Sequence, residues 1–163
     1  MAQGLVKDDV LKYFKYDQGK LFWKLPRGRK VKAGDRAGSV NSIGYRVIGL
    51  NGVRYLEHRI IFLMFNGMEP DYIDHINHDR SDNRIENLRE CSRSQNNFNS
   101  IKPKNNTSGC KGVYWEKRRS RWLARIESKG KQIFIGRYKN IKDAIRATHK
   151  ARAKYHGDFA FNG

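Results

Sequence analysis

The chain has 163 residues, of which 38% are hydrophobic and 12% aromatic, enough to build packed cores and too much for wholesale disorder. Its net charge of +18 and pI near 10.2 point to a polyanionic partner. No apolar stretch approaches the roughly 20 residues of a membrane span, no secretory-signal pattern opens the chain, and Cys91 and Cys110 make neither a disulfide framework nor a four-thiolate zinc site. The expectation is a cytoplasmic protein with two reduced thiols and no membrane partner.

Three zones follow in order. In residues 1–66, Gly19 to Lys24 reads as a turn and a short strand. Arg27 to Arg36 reads as a basic loop able to touch phosphate. Gly44–Leu50 and Val53–Leu56 flank Asn51-Gly52, the dipeptide best suited to a two-residue hairpin turn. Glu57 to Phe65 is expected to be a short apolar helix, with His58 in a structural role.

In the middle zone Tyr72-Ile73 leads a strand ending at Asp74-His75-Ile76. Asn77 to Asn87 is a polar loop containing a solvated His78, and Leu88 to Cys91 returns as a second strand. Ser92, with Gln95 three residues later, makes a capping box for a helix carrying Asn96 and Asn99. Residues 101–109 have linker composition.

The last zone predicts three strands, at Gly112–Trp115, Arg121–Ile126 and Lys131–Gly136, and then a helix over about 141–155 capped by Asn140. On that helix Ala144, Thr148, Ala151 and Tyr155 form a stripe suited to packing on a sheet. Charge divides unevenly: residues 1–100 hold 17 Lys/Arg against 12 Asp/Glu, and residues 101–163 hold 17 against 4. The C-terminal third is therefore the electrostatic handle, and the middle is where acidic groups serve chemistry.

That chemistry is phosphodiester cleavage. Asp74 and the Asn96 side-chain carbonyl supply the oxygen ligands a hard divalent cation prefers, Mg2+ or Mn2+. His75 is the general base for an attacking water. Asn87 is expected to hydrogen-bond the second ring nitrogen of His75 and fix its tautomer.

Residues from about 43 to 100 resemble the HNH nucleases, in the subgroup found in phage and intron-encoded homing endonucleases. The matching stretches are Gly44-Tyr45-Arg46, Glu57 to Phe62, Asp74 to Asn77, Asp82 to Arg89 and Gln95-Asn96-Asn97. The resemblance implies the same roles: His75 as base, Asp74 and Asn96 at the metal, Asn87 supporting loop and base. Zinc-stapled relatives carry CxxC pairs, and none is present here, so no structural zinc is expected.

Residues from about 106 to 160 resemble the Apetala-type (ethylene-response-factor) DNA-binding domain. The matches are Ser108-Gly109 with Lys111 to Val113, Trp122 to Ile126, Ile135 to Tyr138, Asp143-Ala144, Ala151 and His156-Gly157. The resemblance implies a sheet laid in the major groove and DNA contacts from Lys111, Tyr114, Lys117, Arg118, Arg119, Arg121, Arg125, Lys129 and Phe134. Trp122 is read as core, and Trp115 is divided between core and surface.

The expected fold class is α+β: an HNH ββα-metal core (domain 1–100) preceded by β-hairpins, a linker (101–109), then a three-stranded antiparallel sheet packed on one helix (110–163). The expected function is a homing-type, metal-dependent DNA endonuclease, nicking duplex DNA as a monomer or breaking both strands as a homodimer. It needs no small-molecule cofactor and works in the host cytoplasm if phage-encoded. The competing readings are a non-catalytic DNA-binding regulator on a nuclease-like scaffold and an RNA-directed protein.

Overall fold

The computed structural model describes residues 5–98 and 106–161. Asn99 and residues 101–105 of the expected linker lie outside them. By packing, the chain divides into a unit spanning Met1–Cys91 and a unit spanning Ser92–Gly163. The observed class is α+β: among the described residues there are four α-helices and small antiparallel sheets.

The first unit starts with helix α1 (Lys7–Tyr13) and the hairpin of β1 (Phe14–Asp17) and β2 (Lys20–Trp23). Gln18 and Gly19 close that hairpin with φ of 42° and 80°. A Cβ on Gly19 would lie 2.6 Å from the backbone nitrogen of Arg84, so only glycine fits this approach. β3 (Ser39–Val40), β4 (Arg46–Leu50) and β5 (Val53–Leu56) form the next sheet. Asn51-Gly52 turns β4 into β5 with both φ positive, as the dipeptide predicts.

Helix α2 (Glu57–Asn66) follows directly and ends at Gly67 in the left-handed conformation. Its residues 60–64 are all buried, so it runs through the core beside Val10, Phe14, Leu21 and Ile48. Strands β6 (Tyr72–His75) and β7 (Leu88–Cys91) then pair antiparallel, with Asp74 opposite Arg89 and His75 opposite Leu88. The loop between them is ordered by its own side chains. Asn77 and Asn87 exchange hydrogen bonds at 3.0 and 2.9 Å, and Asp79 and Asp82 bind backbone nitrogens two residues ahead.

The second unit opens with helix α3 (Arg93–Phe98). Its capping box forms as expected: Ser92 N–H donates to Gln95 Oε1 at 2.7 Å and Gln95 N–H to Ser92 Oγ at 3.2 Å. The three predicted strands are β8 (Val113–Glu116), β9 (Arg121–Ser128) and β10 (Lys131–Tyr138), in the order β10-β9-β8. Helix α4 (Ile141–His156), capped by the Asn140 side chain, packs on the sheet through Ala144 and Thr148, both fully buried. The predicted stripe fails at its end. Tyr155 is exposed, and Arg152 is the buried residue of that turn, donating to the Lys111 and Phe161 carbonyls. Trp122 packs against this small core, whereas Trp115 is 45% exposed and meets it edge-on.

Candidate active site of the first unit

Asp74 and His75 close β6, and both are 6% exposed. Alternation along a strand sends neighbouring side chains to opposite faces. Asp74 meets its cross-strand partner: Arg89 donates from Nε and Nη2 to Oδ2 at 2.9 and 2.8 Å. On the same sheet face, at the end of β7, burial and the Asp74 charge push the Cys91 thiol up to about 11.

His75 points into the unit. Its Nε2 lies 2.9 Å from Asn83 Oδ1, and Asn83 Nδ2 donates to Glu57 Oε2 at 2.8 Å. Glu57 is 1% exposed and Asn83 2%. A buried carboxylate needs compensation. Glu57 receives it from the Arg36 guanidinium, whose Nη1 and Nη2 both donate, from Arg46 Nε at 3.9 Å, and from the Leu21 N–H at 3.0 Å. Two sheets, a helix and a loop therefore converge behind one imidazole.

On another side of His75 stands the His58 ring, edge-on with centroids 5.0 Å apart, and Tyr45 lies against both. Burial, reinforced by His75 and Arg59, lowers the His58 pKa to about 3, so this neighbour of His75 stays neutral. The structural role expected of His58 is thus that of an uncharged wall.

These placements amend the sequence reading. The side-chain bonds of Asn87 go to Asn77 and to the Asp82 carbonyl. It braces the loop as expected, but the bond to His75 is made by Asn83. Arg36, read as part of a phosphate-touching basic loop, is turned inward onto Glu57. Asn96 sits on α3, in the second unit. Glu57 and Asn83 were visible within the motif stretches, yet only one signal pointed to them: a lone acid opening an apolar helix has to find buried partners.

With this geometry in view, comparison with known proteins is decisive. The HNH endonuclease family matches residues 55–98. Protein 3.8 of Escherichia phage T7 is 35% identical over 97 residues, covering 58% of this chain and 79% of that protein. The chain belongs to the family of this phage protein and carries an HNH endonuclease domain. No solved structure matches it. The HNH match takes in Glu57, His58, Asp74, His75, Asn83, Asn87, Arg89 and Asn96, but Arg36, Arg46 and Tyr45 lie ahead of it. The HNH site thus draws its outer support from the hairpins that precede the matched stretch.

The second unit displays most of the cations expected to meet DNA. Strand register places Tyr114, Arg121, Leu123, Arg125 and Phe134 on the sheet face opposite α4. The Arg125 guanidinium lies 4.9 Å from the Tyr114 ring centroid, and that of Arg137 lies 4.9 Å from Phe134. Lys117, Arg118 and Arg119 occupy the exposed turn before β9, and Lys129 the turn before β10. Lys111 differs. Its ammonium donates to the Asn97 carbonyl at 2.8 Å, in a cleft of about 350 Å³ lined also by Arg152 and His156, and burial lowers its pKa. Among the described residues no helix is long and apolar enough to cross a membrane.

Proposed function

We propose that this protein is a metal-dependent DNA endonuclease of the homing type that nicks duplex DNA at one site per chain and is held on DNA by its second unit. The observation that carries the reading is the Asp74–His75 pair at the end of β6, with the imidazole braced from behind inside an HNH domain. A general base works only if its geometry is fixed, and here two buried side chains in series, Asn83 and Glu57, hold the imidazole.

His75 would take a proton from the attacking water, and Asp74 and Asn96 are the residues that would hold the cation. The donor set is one carboxylate and one carboxamide, all oxygen. Among the described residues no cluster of three or more His, Cys, Asp or Glu could hold a metal ion. So sparse a set suits Mg2+ or Mn2+, which retain waters and take their remaining ligands from substrate phosphate. When bound, such an ion neutralises charge growing on the scissile phosphate and the leaving 3′ oxygen. Arg89 orients Asp74 by donating to one of its oxygens.

In the second unit, whose sequence is read as similar to Apetala-type domains, the proposed partner is duplex DNA. Phosphate contacts from Lys117, Arg118, Arg119 and Lys129 supply affinity, while Arg121, Arg125, Tyr114 and Phe134 present a face that fits the major groove.

Plasmid nicking with Mg2+ at neutral pH tests the proposal. Wild type converts supercoiled DNA to the relaxed form. EDTA, Asp74→Ala, His75→Ala and Asn96→Ala each reduce the rate by a factor on the order of 10² or more. Binding without cutting under every divalent metal tried would favour the regulator instead. Cutting that persists in His75→Ala would move the base elsewhere.

A further inference from the structure

The second unit holds a cleft that neither phosphodiester cleavage nor a flat sheet face accounts for. Its volume of about 350 Å³ falls within the range of roughly 300–1,000 Å³ typical of small-molecule sites. The walls come from α3, the start of β8, the strands β9 and β10, and the end of α4, all within this unit. We propose that the cleft binds a nucleotide, with its phosphate beside Lys111 and Arg152 and its base against the rings of Phe98 and Tyr114. The ligand chemistry is that of a nucleoside 5′-phosphate, presented either free or as an unpaired nucleotide of a DNA strand. Nothing in the first unit enters this proposal, so it stands or falls apart from the nuclease reading.

The charge of the lining calls for an anion. Lys111, Arg125 and Arg152 line the cleft with one carboxylate, Glu127. Arg152 is 3% exposed and donates to the Lys111 and Phe161 carbonyls, which fixes its guanidinium against the backbone that carries Lys111. Lys111 in turn donates to the Asn97 carbonyl at 2.8 Å. A carbonyl orients a cation but does not cancel its charge. Burial lowers the pKa of both groups, and Arg152 adds to the effect on Lys111 while Glu127 opposes it. A phosphate set beside the two would favour their charged forms and gain charge-assisted hydrogen bonds away from bulk water.

The rings decide for a nucleotide over a bare anion. His156 donates from Nε2 to the Glu127 carbonyl at 2.8 Å, and burial lowers its pKa, so at neutral pH it adds a flat ring and no charge. Phe98 stacks on it, with centroids 3.9 Å and planes 4° apart. Tyr114 brings a further ring, beside the Arg125 guanidinium at 4.9 Å. Every base has a π-face, and stacking on aromatic side chains holds it whatever its identity. A bare phosphate would leave these rings uncovered, and a nucleoside would leave the cations without an anion. A phosphate joined to a base meets both.

Calorimetric titration of the full-length protein in EDTA, at fixed salt and neutral pH, tests this with dAMP, deoxyadenosine, inorganic phosphate and a short 5′-phosphorylated oligothymidylate. One dAMP should bind per chain, at least about tenfold tighter than phosphate or deoxyadenosine alone. Lys111→Gln should weaken dAMP about tenfold or more, and Phe98→Leu, which keeps apolar bulk but removes the π-face, about fivefold or more. Lys139→Gln removes an exposed cation outside the cleft and should change the affinity less than about twofold. Arg152 is left in place because it braces two main-chain carbonyls, and circular dichroism checks that each variant is folded. Oligothymidylate that displaces dAMP, or that binds alone with the same losses in both cleft variants, identifies a strand as the source. Binding of dAMP without displacement identifies the free nucleotide. The inference is overturned by inorganic phosphate binding as tightly as dAMP, by equal losses in Lys111→Gln and Lys139→Gln, or by the absence of any nucleotide binding that depends on Lys111 and Phe98.

Discussion

The two units use charge in opposite ways. In the first, ionic groups are taken out of water and joined in a line, from Arg36 and Arg46 through Glu57 and Asn83 to His75. In the second, most cations stay at the surface, on the sheet face and in the two turns, with aromatic rings beside Arg125 and Arg137. The contrast follows from what each is proposed to do. Chemistry at one phosphorus needs a proton acceptor held to a fraction of an ångström, and a low-dielectric surround makes each fixed dipole count for more. Holding a polyanion needs accessible charge able to follow a backbone and displace its counterions. Damage to the first unit should therefore be local and severe, and damage to the second graded and salt-dependent.

The most severe case outside the site itself is Gly19. Its φ of 80° is strained for any other residue, and the added Cβ would meet the backbone of Arg84 and Asn83. Gly19→Ala should push the loop segment that carries Asn83 away from His75. Nicking should drop by a factor of roughly 10 to 100, a sensitivity typical of about 1 Å of misplacement in a catalytic brace. A control, Gly28→Ala, tests the specificity of the claim, because nothing lies within 4 Å of a Cβ at that position although its φ is also positive. Equal losses in the two variants would mean that strain alone, and not contact with the Asn83 segment, is responsible.

Much of this fold could be read from sequence, and the exceptions share a cause. Asn51-Gly52, the Ser92–Gln95 capping box, the Asn140 cap and the three C-terminal strands are local devices, each decided by a few consecutive residues, and all appear as read. The errors lie where partners are distant in sequence. Arg36 joins Glu57 across 21 positions, and Glu57 joins Asn83 across 26. Nothing in a stretch such as Arg-Gly-Arg-Lys says which cation turns inward. The same holds for Asn87 and Asn83, two carboxamides in one loop, of which only the folded chain shows which one reaches the imidazole. Likewise Arg152 displaced Tyr155 from the buried face of α4 because two main-chain carbonyls needed a donor there.

A smaller effect is expected on the second unit's sheet. Arg125→Gln removes a guanidinium that now lies over Tyr114 and donates to Gln132 at 3.0 Å. Affinity for duplex DNA should fall about tenfold, near 1.4 kcal/mol. The slope of log affinity against log salt should become shallower by about one unit if that contact is to phosphate. Weaker binding with an unchanged slope would instead place Arg125 on a base edge. An unchanged affinity would break the comparison, since the exposed cations would then not be the binding surface.

The smallest effect concerns stability. The folded-state pKa of His58 is about 3, below the ordinary value of 6.5, so between those values the unfolded chain binds a proton that the folded chain refuses. Stability should therefore decline as pH falls from about 6.5 toward 3. His58→Phe keeps a ring beside Tyr45 and His75 but removes the titrating group, so its melting temperature should fall less steeply over that range. The comparison is cleanest between about pH 4.5 and 6.5. Asp82, whose carboxyl is held near 2 by hydrogen bonds from Arg84, loses its contribution only below its ordinary 3.8. His149 and His156 are also pushed down, chiefly by burial, but they titrate in both proteins and cancel in the difference. Parallel slopes for wild type and variant would mean that His58 is hydrated and able to carry charge. It would then be a second cation against His75 and no neutral wall, and the contrast between a dry first unit and a wet second one would fail at the point where the proposed chemistry depends on it.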